Sequence, residues 1–496
     1  MSLNLGTILQ ASAHRTPDHV VMRLGEFAMT YAELDRAARG FAAAMCNRGI
    51  EPGDHVAIMI PNVPQFPVAY FGILYAGAAV VPLNVLLTAD EVEYHIQDSG
   101  SKLLVGHPMF AAPGEEGARR AGVDVIWADG EGETVTTLAT TDPVDGPYLT
   151  DADDTAVILY TSGTTGRPKG AELTHSNLLL NCKVVVPDML PLGREDVALA
   201  TLPLFHSFGQ SCVMNAAIAT GATFVLLPRF TPADALGLIQ QHQVTFFAGV
   251  PTMYFAILGF ADAGQYDASS LRLCVTGGAP MPVEVLIAFN KKYNVEILEG
   301  YGLSETSPIA SFNRLDMPRN PGSIGYPVWG VEMAIMDESG AVVADGERGE
   351  IVIRGHNIMK GYYQRPDATR EAIRGGWFHS GDIGVKSPED GSYAIVDRLK
   401  DMILRGGFNV YPREVEEVLY QHPAVAEAAV LGIPDAEHGE EVKAVIALKA
   451  GQQATSEEII AYCKEHVAAY KYPRIVEFLE TLPKGPTGKI LKREMR

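Results

Sequence analysis

The chain is short of positive charge. Its 496 residues carry 39 Lys and Arg against 60 Asp and Glu, a formal net charge of −21. A protein that grips nucleic acid non-specifically needs a basic footprint, so this balance disfavours that class while leaving room for local patches that hold a nucleotide's phosphates. Paired cysteines are missing as well. Cys46, Cys182, Cys212, Cys274 and Cys463 are scattered with no C-x-x-C spacing, which argues against a zinc site or disulfide framework and for a reducing compartment. All five read as small buried hydrophobes. No uncharged apolar run of about eighteen residues offers a transmembrane helix. Residues 1–15 lack the basic start and apolar block of a signal peptide. A cytoplasmic protein is expected, without internal repeats or low-complexity tracts.

Hydroxyls and glycines are concentrated in one place: Tyr160-Thr161-Ser162-Gly163-Thr164-Thr165-Gly166-Arg167-Pro168-Lys169, closed by Gly170. Glycine lets backbone N–H groups approach an anion, and hydroxyls add donors. The run follows an apolar stretch, 156–159, that reads as a buried strand, and precedes 173–180, which reads as a helix. A donor-rich loop after a strand suits phosphate. It is not a Walker A loop: Arg167 and Pro168 separate Gly166 from Lys169, and Gly170 stands where the hydroxyl that binds Mg²⁺ belongs.

A chain this long and 47% hydrophobic needs two or more domains. Short apolar runs at 56–60, 197–202, 223–227, 244–248 and 271–276 read as buried strands between helical patterns. Thr88 opens a capping box that ends at Glu91, and Thr231-Pro232 supplies an N-cap with Pro at the first helical position. Such alternation predicts α/β layers with largely parallel sheets. Segment 111–122 reads as an exposed loop or helix edge. After about residue 351 the texture changes, and a charged knot, 397–401, precedes a helix at Pro412–Gln421, strands at 428–432 and 442–448, and a helix at Ser456–His466. This is a small α+β module of about 100 residues. The expected domains are 1–397 and 398–496.

Five more segments are glycine-rich, polar and punctuated: Thr276-Gly277-Gly278-Ala279-Pro280; Glu299-Gly300-Tyr301-Gly302-Leu303-Ser304-Glu305-Thr306; Gly376-Trp377-Phe378-His379-Ser380-Gly381-Asp382; Arg405-Gly406-Gly407-Phe408-Asn409; and Pro483-Lys484-Gly485-Pro486-Thr487-Gly488-Lys489. Each alone is an ordinary loop, since binding residues and turns alike gather there. In this order, and over nearly the whole chain, they resemble the acyl-adenylate-forming superfamily of acyl-CoA synthetases, adenylation domains and beetle luciferases. The departures are minor: Ser380 stands where Thr is commoner, and Arg167 fills a variable position.

The resemblance implies a large N-terminal domain of stacked sheets and helices with a small mobile C-terminal domain. It also implies two reactions. A carboxylate and ATP give acyl-AMP and pyrophosphate; acyl-AMP and a thiol then give a thioester and AMP. A carboxylate, with an ordinary pKa of about 4.3, needs no general base. The problem is bringing an anion to a polyanion, which positioning and positive charge solve.

The same resemblance implies that Thr161, Ser162, Gly163, Thr164, Thr165, Gly166 and Lys169 hold the β,γ-phosphates, with Glu305 and Thr161 on Mg²⁺ and Thr306 beside them. Gly278, Ala279, Pro280, Glu299, Gly300, Tyr301 and Gly302 would frame adenine, and Asp382 and Arg398 the ribose. Lys489 would stabilise charge at the reacting centre. Lys400 would be the hinge, Gly406, Gly407 and Phe408 would line the path of CoA, and His206 would flank the acyl site. Out of context these have plainer readings: Glu305 as a helix N-cap partner after Ser304, Tyr301 and His206 as core residues, Lys489 as solvated surface.

No carrier module is attached, which favours free CoA. The candidate acyl-pocket segments 246–251, 276–280 and 300–303 are apolar or small. They lack the Arg or Lys that a dicarboxylate such as malonate would need. A medium- or long-chain fatty acid is expected, with an aromatic acid of the coumarate type second. An acyl-AMP ligase, or a stand-alone adenylation enzyme that loads a carrier protein, is the further alternative. The sequence does not fix whether the chain is a monomer or a homodimer.

Overall fold

The computed structural model describes residues 3–161, 167–435, 437–485 and 488–495. Two large sheets form the body. In the nine-stranded sheet, the strands Ile297–Gly302, Leu273–Thr276, Phe246–Gly249, Val197–Ala200, Thr223–Leu226 and Val20–Leu24 run parallel in that spatial order, and antiparallel strands are confined to the two edges. The seven-stranded sheet is parallel from Asp124–Trp127 to Thr155–Thr161, then turns antiparallel at Lys169–Thr174 and Gly361–Tyr362. Ile297–Gly302 and Thr155–Thr161 are therefore the strands at which each sheet changes sense, and both carry site residues at their C-terminal ends. Open α/β sheets bind ligands at such ends.

Parallel strands need crossover helices, and the sequence marks several of them. Thr88 caps the helix Ala89–Ser99 in a reciprocal box with Glu91, and Thr231 caps Pro232–His242. A continuous core fills the space between the layers, with Tyr31, Phe41, Phe66, Phe71, Phe224 and Phe246 at most 1% exposed. Each such ring contributes about 1.5–3 kcal/mol relative to the exposed state.

The third sheet is antiparallel. Val331–Met336, Arg348–Gly355 and Trp377–Lys386 pair in succession, and Tyr393–Arg398 joins the last of them. The chain then enters a smaller C-terminal domain with its own sheet and its own core of Ile403, Val415, Leu419, Val430, Val442 and Ile459. Its helices span Pro412–Gln421 and Ser456–His466, as the sequence predicts.

Three expectations change. The segment 173–180 is not one helix: Lys169–Thr174 is a strand that pairs back on Thr155–Thr161, and only at Thr174, whose side chain accepts from Asn177 N–H, does the helix His175–Leu180 begin. A strand, not a helix, therefore follows the phosphate-loop candidate, whose residues 162–166 lie outside the described residues. Segment 111–122 is a regular helix, Ala111–Ala121, ended by Gly122 in the left-handed region. Its glycines hide the helical pattern because they serve packing: a Cβ on Gly117 would sit 2.6 Å from Val92 Cβ. Cys46 is exposed, whereas the other four cysteines are buried.

That close approach sets a test. Gly117→Val should cost about 1–3 kcal/mol by overpacking, seen as a lowered thermal midpoint. Glu115→Val, on the exposed face of the same helix, should leave the midpoint nearly unchanged.

Candidate active site

Lys169 and Glu305 both contact Tyr362. Thr161 and Lys169 face each other across the hairpin register, while Ser162, Gly163, Thr164, Thr165 and Gly166 lie outside the described residues. Glu305 sits in the single turn Ser304–Thr306, packed against this hairpin and only 8% exposed. Its Oε1 accepts a hydrogen bond from the Tyr362 hydroxyl at 2.9 Å. Lys169 Nζ lies 5.3 Å from the centre of the same tyrosine ring. Oxygen donors such as the Glu305 carboxylate and Thr161 hydroxyl suit Mg²⁺, a cation that keeps several waters and binds mainly through nucleotide phosphates.

The nucleoside end is built around a buried carboxylate. Asp382, 3% exposed on the third sheet, accepts from the Tyr301 hydroxyl at 2.6 Å on Oδ2 and meets Arg398 Nε at 3.1 Å on Oδ1. Burial and the adjacent Asp382 carboxylate hold the Tyr301 phenol well above its ordinary value, so it keeps its proton and donates. Each carboxylate oxygen has two acceptor sites, which leaves one open on each. Arg398 stays charged against the cost of burial because Asp382 faces it.

The glycines next to this carboxylate close contacts and do not open space. A Cβ on Gly300 would lie 2.3 Å from the Phe312 ring, and one on Gly302 would lie 1.8 Å from the Pro308 carbonyl oxygen. Gly278 adopts a φ of +78° in the loop with Ala279 and Pro280. Glu299 braces that loop, its Oε1 accepting from Met281 N–H at 3.1 Å. Burial pushes the Glu299 carboxyl up to about 7, opposed by Arg413 of the C-terminal domain.

Lys489 reaches this cleft from the far end of the chain. The hydroxyl of Thr252 donates to the Gly488 carbonyl at 3.2 Å. A Cβ on Gly488, whose φ is +78°, would lie 2.8 Å from that hydroxyl, so only glycine permits the approach. Lys489 keeps solvent contact in an open cleft whose walls crowd its ammonium. That crowding, and then Arg398, bring its pKa down to about 8. His206 is half-buried, and burial followed by Lys489 lowers it to about 4, so the ring is neutral. Its Nδ1 accepts from Phe208 N–H at 3.2 Å, which leaves the ring proton on Nε2.

Not every predicted residue joins this group. Thr306 is fully buried, its hydroxyl donating to the Leu303 and Pro308 carbonyls, so it shapes the turn that carries Glu305. Gly406, Gly407 and Phe408 lie on a hairpin of the C-terminal domain. Phe408 is 57% exposed and stacks on Tyr470, and among the described residues no hydrogen bond or ring contact joins these three to Lys489, Asp382 or His206. Lys400 lies in an exposed turn between the strands Tyr393–Arg398 and Ile403–Arg405.

Three residues without a sequence signal prove to be neighbours of the group. Tyr362 holds Glu305, and Thr252 holds Gly488. Arg413 ties the C-terminal domain back by donating its N–H to Asp397 Oδ2 at 2.8 Å and its Nη1 to the Ile395 carbonyl at 2.7 Å. A cavity of about 820 Å³ between the third sheet and the C-terminal domain, lined by Arg348, Trp377, His379 and Tyr411 among others, contains none of the charged groups above.

Charged side chains gathered at the C-terminal ends of largely parallel strands are the arrangement of an α/β enzyme. Residues 9–363 match the family model for AMP-binding enzymes, and residues 414–489 match the model for the AMP-binding enzyme C-terminal domain. The chain belongs to the AMP-binding enzyme family. It is 37% identical to a long-chain-fatty-acid–CoA ligase of Bacillus subtilis (strain 168), over 99% of this chain and 94% of that one. It is 39% identical to a feruloyl-CoA synthase of Amycolatopsis sp, over 99% and 98%. The solved anthranilate CoA ligase in complex with anthranoyl-AMP superposes with a TM-score of 0.94 at 30% identity, over 100% of this chain and 97% of that one.

The cleft electrostatics can be measured directly. Trace labelling of Lys489 with acetic anhydride, read by mass spectrometry across pH, should titrate near 8. Arg398→Gln removes a neighbouring positive charge and should move that midpoint up, towards the ordinary lysine value; an unmoved midpoint would contradict the assigned cause.

Proposed function

We propose that this protein is an AMP-forming acid–CoA ligase of apolar carboxylic acids. The observation that carries this reading is the buried Asp382–Arg398 pair, with Lys489 near enough for both charges, and for His206, to bear on its electrostatics. Around it, the match to the AMP-binding family extends through both domains.

In the first half-reaction the substrate carboxylate oxygen attacks the α-phosphorus of ATP, and the bond to the β-phosphate oxygen breaks, releasing pyrophosphate. Lys489 stands where charge develops at the α-phosphate and the carboxylate, and preorganised positive charge is most effective there. Asp382 and Arg398 orient the ribose. Lys169 and the loop 162–166 hold the departing phosphates. Mg²⁺ would arrive with ATP and be held through Glu305 and Thr161, supplying positive charge to the pyrophosphate. His206, neutral and protonated on Nε2, flanks the acyl group as a donor without competing positive charge. In the second half-reaction the CoA thiolate sulfur attacks the acyl carbonyl carbon, and AMP leaves with the former carboxylate oxygen.

The second step calls for a path to the carbonyl that Lys489 now fills. In this reading the C-terminal domain, from 398 onward, turns about Lys400, withdrawing Lys489 and presenting Gly406, Gly407 and Phe408. The exposure of that hairpin and the position of Lys400 between two sheets support the motion. The five unpaired cysteines suit a reducing, cytoplasmic setting. No helix among the described residues is long and apolar enough to cross a membrane.

A fatty acid is the first reading of the substrate, because the pocket segments 246–251, 276–280 and 300–303 carry no charge to pair with a second carboxylate or an ammonium, apart from the buried, braced Glu299 beside them. An aromatic acid is the second, favoured by the feruloyl-CoA synthase and the anthranilate CoA ligase among the relatives.

Pyrophosphate release across a panel of fatty, aromatic and short acids, with and without CoA, tests the reading; no AMP-forming turnover with any of them would sink it. Turnover that stops at acyl-AMP regardless of CoA would favour an acyl-AMP ligase. Lys489→Ala should lose adenylation by about a hundred-fold or more yet keep thioester formation from pre-made acyl-AMP, and Gly407→Leu should show the opposite bias. Equal loss of both steps in Lys489→Ala would refute the two-state assignment. kcat/KM for ATP should be level below pH 8 and fall as pH rises through about 8, because the free enzyme's Lys489 then loses its proton.

A further inference from the structure

Tyr362 stands between two opposite charges. It lies on the strand Gly361–Tyr362, paired with the strand that begins at Lys169, with Tyr362 opposite Ala171. Its backbone N–H donates to Thr369 Oγ1 at 2.9 Å, which anchors the strand from the other side. Its hydroxyl donates to Glu305 Oε1 at 2.9 Å. The Lys169 ammonium lies over the face of its ring, 5.3 Å from the centroid.

One side chain thus takes a cation on its π face and an anion on its hydroxyl. Among the described residues no ion pair joins Lys169 to Glu305. An ammonium and a carboxylate left together in a crowded cleft attract strongly and would cancel. Glu305 Oε1 is committed to Tyr362, while Oε2 receives no hydrogen bond among the described residues.

We propose that Tyr362 is a positioning residue that keeps Lys169 and Glu305 apart and separately available: the ammonium for the phosphates that leave, and Glu305 Oε2 for the divalent cation that accompanies ATP. This rests on the ligase reading above. It deepens that reading by assigning the spacing of the two charges to a residue outside the glycine-rich loops.

The test is calorimetric binding of α,β-methylene-ATP, which cannot release pyrophosphate, at increasing Mg²⁺ to the full chain and its variants. Tyr362→Phe keeps the ring face for Lys169 and deletes the hydroxyl. It should raise the Mg²⁺ concentration for half-maximal nucleotide binding by about five-fold, the size of one lost hydrogen bond, with binding nearly restored at saturating Mg²⁺. Tyr362→Leu removes both contacts and should weaken binding of nucleotide, and of metal-free pyrophosphate, by about ten-fold or more. Adding Glu305→Gln to Tyr362→Leu should then recover pyrophosphate binding by freeing Lys169, a rescue that general loosening of the fold would not give. Wild-type Mg²⁺ dependence in a Tyr362→Phe protein with an unchanged melting temperature would overturn the proposal, as would failure of the rescue. Failure of the ligase reading shows separately, as wild-type enzyme that releases no pyrophosphate with any acid.

Discussion

The site depends on one buried carboxylate held between a phenol and a guanidinium. Tyr301 comes from the nine-stranded sheet, Asp382 from the antiparallel sheet, and Arg398 from the last strand before the C-terminal domain. A carboxylate that is 3% exposed is costly unless paired and hydrogen-bonded. Its need for partners therefore fixes how the nine-stranded sheet and the antiparallel sheet, on which Asp382 and Arg398 are paired, stand relative to one another. The placement of the inter-domain strand is a consequence of the same pairing. Arg413 extends it, binding Ile395 and Asp397 on the strand that carries Arg398, so the C-terminal domain is seated by backbone and carboxylate acceptors on the far side of the turn at Lys400.

The remaining charges follow one rule: opposite signs are kept close without being allowed to cancel. Lys489 faces Arg398, and both face Asp382, so the local positive charge exceeds what the carboxylate neutralises. At the other end Tyr362 separates Lys169 from Glu305. His206 is held neutral beside Lys489. A site organised in this way has little to offer as a general base and much to offer as a scaffold of fixed charge. That suits a reaction whose nucleophile is already an anion and whose difficulty is electrostatic approach.

What the sequence made legible divides along physical lines. Local signals held: the Thr88 and Thr231 caps, the helices Pro412–Gln421 and Ser456–His466, and most of the buried strands depend on residues a few positions apart. The ordered glycine-rich segments identified the family because their spacing along the chain is itself the signal. The misses depend on partners distant in sequence. Leu173 looks helical until Lys169–Thr174 pairs back on Thr155–Thr161. Gly117 looks like a helix breaker until Val92 is seen against it. Tyr362 carries no signal in the sequence, and its partner Glu305 lies 57 positions away. Thr306 shows the converse: a hydroxyl in a catalytic-looking string is consumed by the backbone of its own turn.

The glycines bear on the acid in a way that composition alone misjudges. At Gly249, Gly300 and Gly302 the space beside the missing side chain is already taken. A Cβ on Gly249 would lie 3.0 Å from the Phe247 ring, and those on Gly300 and Gly302 would strike Phe312 and Pro308. These glycines let strands and loops of the protein approach one another, and the volume they release goes to Phe247, Phe312 and the turn that carries Glu305. They are therefore evidence for a tightly built nucleotide cleft and neutral between a fatty and an aromatic acid. What favours an apolar acid is the lack of a paired buried charge in these segments.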